Sequence, residues 1–181
     1  MRYVALLRAI NVGGAAKLPM AQLRELCGEI GWEGVRTYIQ SGNVVFDAPD
    51  DAGALEAALE QAVEKRFGFF RPVLVRSADE WRAYAGGSPF PDLEAEQANR
   101  IMLCLSKRPL AEGAAELLQA RAASGELVRE KARGLWVYYP GGAGTTKLTP
   151  ALFDKAAGSP VTARNWRTIC KLQEMLAAGT Q

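Results

Sequence analysis

The order of apolar segments in the first 76 residues is the strongest constraint on the fold. Short runs at Arg2–Arg8, Val35–Gln40, Asn43–Phe46 and Arg71–Arg76 are separated by two stretches of helical periodicity, which reads β-α-β-β-α-β. The first run is apolar on both faces, as a central strand requires. In the second, Val35, Thr37 and Ile39 alternate with Arg36, Tyr38 and Gln40, the pattern of a strand with one wet face. Leu23, Leu26, Cys27 and Ile30 make the stripe of the first helix, with Pro19 near its first turn and Gly31 as its stop. The second helix runs from Asp51 to Phe67 on Leu55, Ala58, Leu59, Ala62 and Val63, and Gly68 ends it. Pro72 opens the fourth strand and assigns it to an edge, because proline cannot donate to the ladder. Right-handed crossovers then impose the spatial order 4-1-3-2.

That order brings two polar segments together. The carboxyl ends of the first two strands and the start of the third share one edge of the sheet, where Arg8, Asn11, Gly13, Gly14, Gln40, Ser41 and Asn43 converge. Ser41-Gly42 fits a tight hairpin, since glycine supplies the positive φ such turns need. The loop from Asn11 through Gly13 and Gly14 to Lys17 reaches a helix amino terminus. Free backbone N–H groups, a helix dipole and an ammonium suit an anion. A flexible turn with a solvated lysine is the alternative reading. The spacing matches neither the P-loop nor the dinucleotide fingerprint.

Ser77 and Glu80 form a capping box for a third helix that includes Trp81 and Tyr84. From Gly86 to Asn99 periodicity disappears, and residues 87–99 read as a linker between a unit at 1–86 and one at 100–181. The same grammar then recurs. A strand at Ile101–Leu105 is followed by a helix near Leu110–Ala123, a polar strand at Glu126–Lys131, a turn at Gly134 and an apolar strand at Leu135–Tyr139. A short helix over Thr149–Ala157, a few extended residues at Val161-Thr162 and a last helix over Asn165–Leu176 complete it. Disorder is expected only from Ala177 to Gln181. The expected class is α+β, with two tandem ferredoxin-like βαββαβ units, each followed by a helix, and mainly antiparallel sheets.

The second half has its own glycine-rich loop, Tyr139 to Thr149, with Gly141, Gly142, Gly144 and Lys147. It suggests a cradle for phosphate or carboxylate, though Thr146 stands where a Walker motif needs glycine; a surface loop with a threonine cap is the alternative. Strand order places Lys147 near Thr162 to Trp166. There Thr162 or Asn165 can cap the last helix and Trp166 can be core, while Arg164 puts a charge between a strand end and a helix start.

Composition removes several chemistries. The 181 residues include no histidine, which excludes histidine general bases, serine-histidine and cysteine-histidine pairs and the commonest transition-metal ligand. Cys27, Cys104 and Cys170 each sit in an apolar periodic run and read as reduced core residues, so no metal site is expected. Asp50, Asp51, Asp79, Glu80, Asp92, Glu94 and Glu96 have helix-end or solvated roles, and no pair suits general acid–base catalysis. The apolar start between Arg2 and Arg8 is five residues, too short for a signal core or a membrane span. A cytoplasmic protein without membrane contact is expected. The net charge of +2 does not itself predict nucleic-acid binding.

Ala5 to Gly14, Leu18-Pro19-Met20, Thr37 to Phe46, Lys147-Leu148-Thr149 and Thr162 to Trp166 together resemble the bacterial family catalogued as domain of unknown function 1697. The resemblance spans nearly the whole chain in order. That family more often has glycine where this chain has Ala9, and serine where it has Thr146. The resemblance implies tandem ferredoxin-like units and carries no activity or ligand. The expected function is therefore read from the residues: binding of a phosphorylated or carboxylated ligand, with nucleotides among the candidates. Arg8, Lys17, Lys147 and Arg164 supply charge, Asn11, Gln40 and Asn43 orient polar groups, and Gly13, Gly14, Ser41, Thr149, Asn165 and Trp166 complete the set. One alternative is RNA or single-stranded nucleic acid, for which Tyr3 and Phe46 are the only aromatics on the first and third strands. Another is a histidine-free enzyme using Ser41 or a lysine such as Lys17. No cofactor and no oligomeric state are specified.

Overall fold

The computed structural model describes residues 1–179, and the fold is α+β. Among them are strands β1 (Arg2–Leu7), β2 (Glu33–Tyr38), β3 (Asn43–Asp47), β4 (Val73–Ser77), β5 (Ile101–Ser106), β6 (Leu127–Lys131), β7 (Gly134–Tyr138) and β8 (Val161–Asn165). The helices are α1 (Met20–Glu29), α2 (Ala52–Phe67), α3 (Ala78–Ala85), α4 (Glu94–Gln97), α5 (Ala114–Arg121), α6 (Pro150–Ala157) and α7 (Trp166–Ala177). The chain divides into two compact units, one of residues 1–81 plus the end of the chain from Leu172, the other Arg82–Lys171. Each holds a four-stranded sheet, β2-β3-β1-β4 in the first and β6-β7-β5-β8 in the second, with every neighbouring pair antiparallel. The spatial order expected from right-handed crossovers is the observed one.

In the first unit, Tyr3, Ala5 and Leu7 of β1 pack with Val44, Phe46, Val73 and Val75 against Leu23, Leu26 and Cys27 of α1 and Leu55, Leu59 and Val63 of α2. Trp32 stacks on Phe46 with ring centroids 3.6 Å apart. In the second unit Cys104, Leu135, Val137 and Val161 face Leu118 of α5 and Phe153 and Ala157 of α6. Cys27 and Cys104 are buried, and burial pushes both thiols up to about 12, so they stay protonated.

The repeat extends to individual bonds. Arg8 N–H donates to Pro72 O (3.0 Å), and Lys107 N–H donates to Pro160 O (2.9 Å) at the same place in the second unit. Gly68 and Gly158 both end the second crossover helix in the left-handed conformation. Each fourth strand runs directly into a helix capped by its own last residue: Ser77 accepts from Glu80 N, and Asn165 from Thr168 N. The free N–H groups of the edge strands are also covered alike. Glu60 and Glu56 of α2 accept from Val73 N and Val75 N, both at 2.9 Å, and Asp154 of α6 accepts from Val161 N. On β6, Gln119 of α5 accepts from Val128 N and donates to Glu126 O. Side chains thus take the bonds another strand would make.

Several boundaries differ from the sequence reading, for identifiable reasons. β2 ends at Tyr38, because Ile39 adopts φ +49° and starts a four-residue loop, Ile39–Gly42, in place of the expected two-residue turn. Ile39 is consequently exposed. Pro72 precedes β4 and serves it through its carbonyl. Glu56 and Glu60, unlike Ala58 and Ala62, are buried on α2, because the edge strand needs acceptors. The second hairpin turns at Ala132-Arg133, both with positive φ, and Gly134 lies in β7. Its role is space, since a Cβ there would come within 2.6 Å of Leu103 Cδ1. β8 is a full five-residue strand, where two extended residues were expected. Segment 87–99 carries short helical turns at Pro91–Leu93, Glu94–Gln97 and Ala98–Arg100 and buries Phe90. Of the tail expected to be disordered, Ala177 ends α7, Ala178 and Gly179 follow it, and Thr180 and Gln181 lie outside the described residues.

Candidate functional site

Three loops meet at the end of the first sheet where β1 stops: Arg8–Pro19, Ile39–Gly42 and Gly68–Pro72. The Asn11 side chain joins the first two. Its Nδ2 donates to Gln40 O (2.8 Å) and Leu18 O (2.9 Å), while its Oδ1 accepts from Leu18 N (2.8 Å). Leu7 N–H also donates to Gly42 O at 2.9 Å. A Cβ on Gly42 would lie 2.7 Å from Ile10 Cδ1, so glycine is required there for contact as well as for φ. Arg71 ties on the third loop, Nε donating to Ala9 O at 3.3 Å.

The tip of the first loop is a tight turn in which Ala15 N–H donates to Val12 O. Gly13 and Gly14 occupy its centre at φ +61° and +74°, the mirror-image turn that favours glycine. Both are open to solvent, as are Lys17 and the Gln40 side chain. Among the described residues, six non-glycine residues have positive φ, and Ala9, Asn11, Ala16 and Ile39 are four of them. Asparagine tolerates this conformation; for alanine and the β-branched isoleucine it is strained, by about 1–3 kcal/mol each.

The three loops contain Arg8, Lys17 and Arg71 and no carboxylate. Three large apolar side chains are exposed on them, Val12, Ile39 and Phe70. α1 starts at this edge with no side-chain cap and no acid in its first turn, whereas Asp51 caps α2. Its leading N–H groups therefore remain available.

The predicted residues divide between this surface and the scaffold. Arg8, Gly13, Gly14, Lys17, Gln40 and Ser41 lie on the loops, Arg8 and Ser41 partly buried. Ser41 Oγ accepts from Asn43 Nδ2 at 3.0 Å. Asn43 is fully buried, and its Nδ2 also donates to Tyr38 O. The side chains of Asn11 and Asn43 are thus engaged in holding the loops. Tyr3 and Phe46, the aromatics of β1 and β3, are buried in the core against α1 and α2.

The second glycine-rich loop has a different setting. It leaves the end of β7 beside Ile101, the start of β5, which is the opposite end of the repeat from the loops of the first unit. Thr146 Oγ1 donates to Glu126 Oε1 at 2.7 Å, and Ser124 N–H donates to Oε2. The Thr146 hydroxyl is the main reason Glu126 is held below the usual carboxylate range, so an ionised carboxylate underlies this loop. Thr149 caps α6, and Lys147 is exposed. Asn165 lies beside Met102, at the same end of the sheet as this loop. Arg164 is buried and donates to Thr162 Oγ1 and Ala163 O, both at 2.8 Å; burial lowers its guanidinium to about 10. Trp166 is buried with its ring 5.9 Å from that of Trp136.

Phe70 and Arg71 are the site residues that sequence reasoning missed. The signal was present: in the order 4-1-3-2 the start of the fourth strand flanks the end of the first, so the segment before Pro72 belongs to the same edge.

No helix among the described residues is long and apolar enough to cross a membrane. A solved structure, that of the conserved bacterial protein SP0830 from Streptococcus pneumoniae, is similar, with a TM-score of 0.71 at 24% identity. The match covers 97% of this chain and 98% of that one, and shows a shared fold. No curated protein matches the sequence. The model of the family described as "Protein of unknown function (DUF1697)" matches residues 1–136, and the chain belongs to that family.

Proposed function

We propose that the chain is a cytoplasmic binding protein of two ferredoxin-like units. The loop edge of the first unit would take an anionic ligand carrying an apolar or planar group, with a nucleotide as the best-fitting class. The observation that carries this reading is the concentration of strain: Ala9, Ala16 and Ile39 all hold left-handed backbone in loops fastened by one asparagine. At about 1–3 kcal/mol each, the three are costly against a typical total stability of 5–15 kcal/mol. Strain of this kind persists where a loop shape is needed for something other than folding.

The charge pattern supports an anion. The loops carry the positive charge of Arg8, Lys17 and Arg71, the last with Nε and Nη1 donating to Ala9 O and Phe70 O, and the uncapped start of α1 adds N–H groups and the positive end of its dipole. The exposed Val12, Ile39 and Phe70 supply apolar surface for a base or a similar group. Calorimetry against a panel of nucleotides and phosphorylated metabolites tests the reading. At least one ligand is expected to bind and to weaken by about threefold to tenfold on K17A or R71A. A ligand that binds with no response to R8A, K17A or R71A, or a panel without any binder, rejects it.

A further inference from the structure

We infer a second anion-binding edge, formed in the second unit by Lys107, Arg108 and Arg133 at the place equivalent to the first. Superimposing the two repeats by strand register equates Leu7 with Ser106, because Leu7 pairs with Val73 and Ser106 with Val161, each the first residue of its fourth strand. The loop after β5 therefore corresponds to the loop after β1, and the Ala132-Arg133 hairpin to Ile39–Gly42. The bonds agree, since Lys107 N–H reaches Pro160 O as Arg8 N–H reaches Pro72 O.

Three observations mark this edge. The two remaining non-glycine residues with positive φ among those described, Ala132 (+52°) and Arg133 (+62°), lie here, so all six fall on the same edge of the two repeats. Segments 106–110, 131–134 and 158–160 contain Lys107, Arg108, Lys131 and Arg133 and no carboxylate of their own, while the neighbouring Asp154 carboxylate accepts from Val161 N–H. Lys131 Nζ is spent on Gly87 O at 2.7 Å, whereas Arg108 and Arg133 are exposed. Continuing the Cys104–Leu135 register by two residues brings Arg133 level with Ser106, one inter-strand spacing of about 4.8 Å away. Arg108 is fixed on the other flank by its N–H bond to Ser159 Oγ (3.0 Å).

Forked guanidinium groups on either side of the end of β5, with a lysine between, match closely spaced phosphate oxygens better than one carboxylate. The ligand chemistry is thus multiple phosphates, either the directly linked ones of a nucleoside triphosphate or the sugar-separated ones of a nucleic-acid backbone. The edge lacks exposed aromatic side chains, so its contacts are to phosphate.

Inorganic tripolyphosphate, titrated into the full chain at low ionic strength and followed by calorimetry, is the test. Two binding events are expected, of which R108E/R133E abolishes one and leaves the other within about twofold. No binding, or binding that R108E/R133E leaves unchanged, overturns the second edge. K17E/R71E separates this inference from the reading of the first unit: an event lost in R108E/R133E with none lost in K17E/R71E retains the second edge and rejects the first. Should charge reversal impair folding, R108Q/R133Q gives the same decision, with an expected weakening of about tenfold. Parallel titrations with a nucleoside triphosphate and a thymidine oligonucleotide assign the source. The tighter ligand whose affinity responds to R108E/R133E is the relevant one, and a response with neither also overturns the proposal.

Discussion

Replacing Asn11 by alanine tests how the loop edge is held together. The side chain makes three hydrogen bonds of 2.8–2.9 Å, two of them to Leu18 and one across to Gln40. Partly exposed bonds of this kind contribute about 0.5–1 kcal/mol each, giving about 2 kcal/mol for the set. Asn11 also sits at φ +54°, where alanine is less tolerant than asparagine by about another 1 kcal/mol. N11A should therefore destabilise by about 3 kcal/mol in urea unfolding. N11G, which keeps the backbone freedom and loses only the bonds, should cost about 2 kcal/mol. Hydrogen exchange adds a local readout: the Leu18 amide, which donates to Asn11 Oδ1, should lose protection in both variants. A change of less than about 0.5 kcal/mol in N11A, or equal destabilisation by N11A and N11G, would refute the division into bonds and backbone strain.

Other perturbations address the scaffold. Glu60→Ala leaves the N–H of Val73 without its acceptor on an edge strand; a loss of about 1–3 kcal/mol is expected, with concentration-dependent self-association by light scattering. Glu126, whose carboxyl is held low chiefly by Thr146, contributes stability that is complete above the ordinary carboxylate range and is lost as pH falls through its depressed value. T146V should flatten this acid-side loss in pH-dependent unfolding curves, and an unchanged slope would count against the assignment. Arg36 donates to the carbonyls of Met175 and Ala178, so R36A should speed amide exchange in the last turn of α7 while leaving β5 unaffected.

What the sequence makes legible follows from periodicity. The alternation along β2, the stripes of α1 and α2 and the double-sided apolarity of β1 are properties of hydrophobic pattern, and with the crossover rule they yield the strand order. Helix ends carried by local chemistry, such as Asp51, Gly68 and the Ser77–Glu80 box, are equally legible. Side chains that serve distant backbone leave no local pattern. Glu56 and Glu60 look like solvated helix residues, and only the free edge of β4 gives them a buried role. Glu126 beneath Thr146 is the same case. In the site, Asn11 and Asn43 are recognisable as unusual, yet their partners are carbonyls whose position depends on tertiary folding. The left-handed turns at Ile39 and Ala132-Arg133 use residues that propensity disfavours, whereas Gly42 and Gly134, which follow them, carry the usual turn signal.

Anion binding by the loops around Asn11, as proposed, is open to observation residue by residue. Backbone amide chemical shifts recorded while a nucleoside triphosphate is titrated to about 10 mM, enough to detect affinities as weak as millimolar, address it directly. Saturable shifts are expected at Val12 to Lys17, at Met20 and Ala21 in the first turn of α1, and at Ile39 to Ser41, all reduced in K17A/R71A. Shifts that are absent, or scattered over the surface without saturation or response to K17A/R71A, would contradict it.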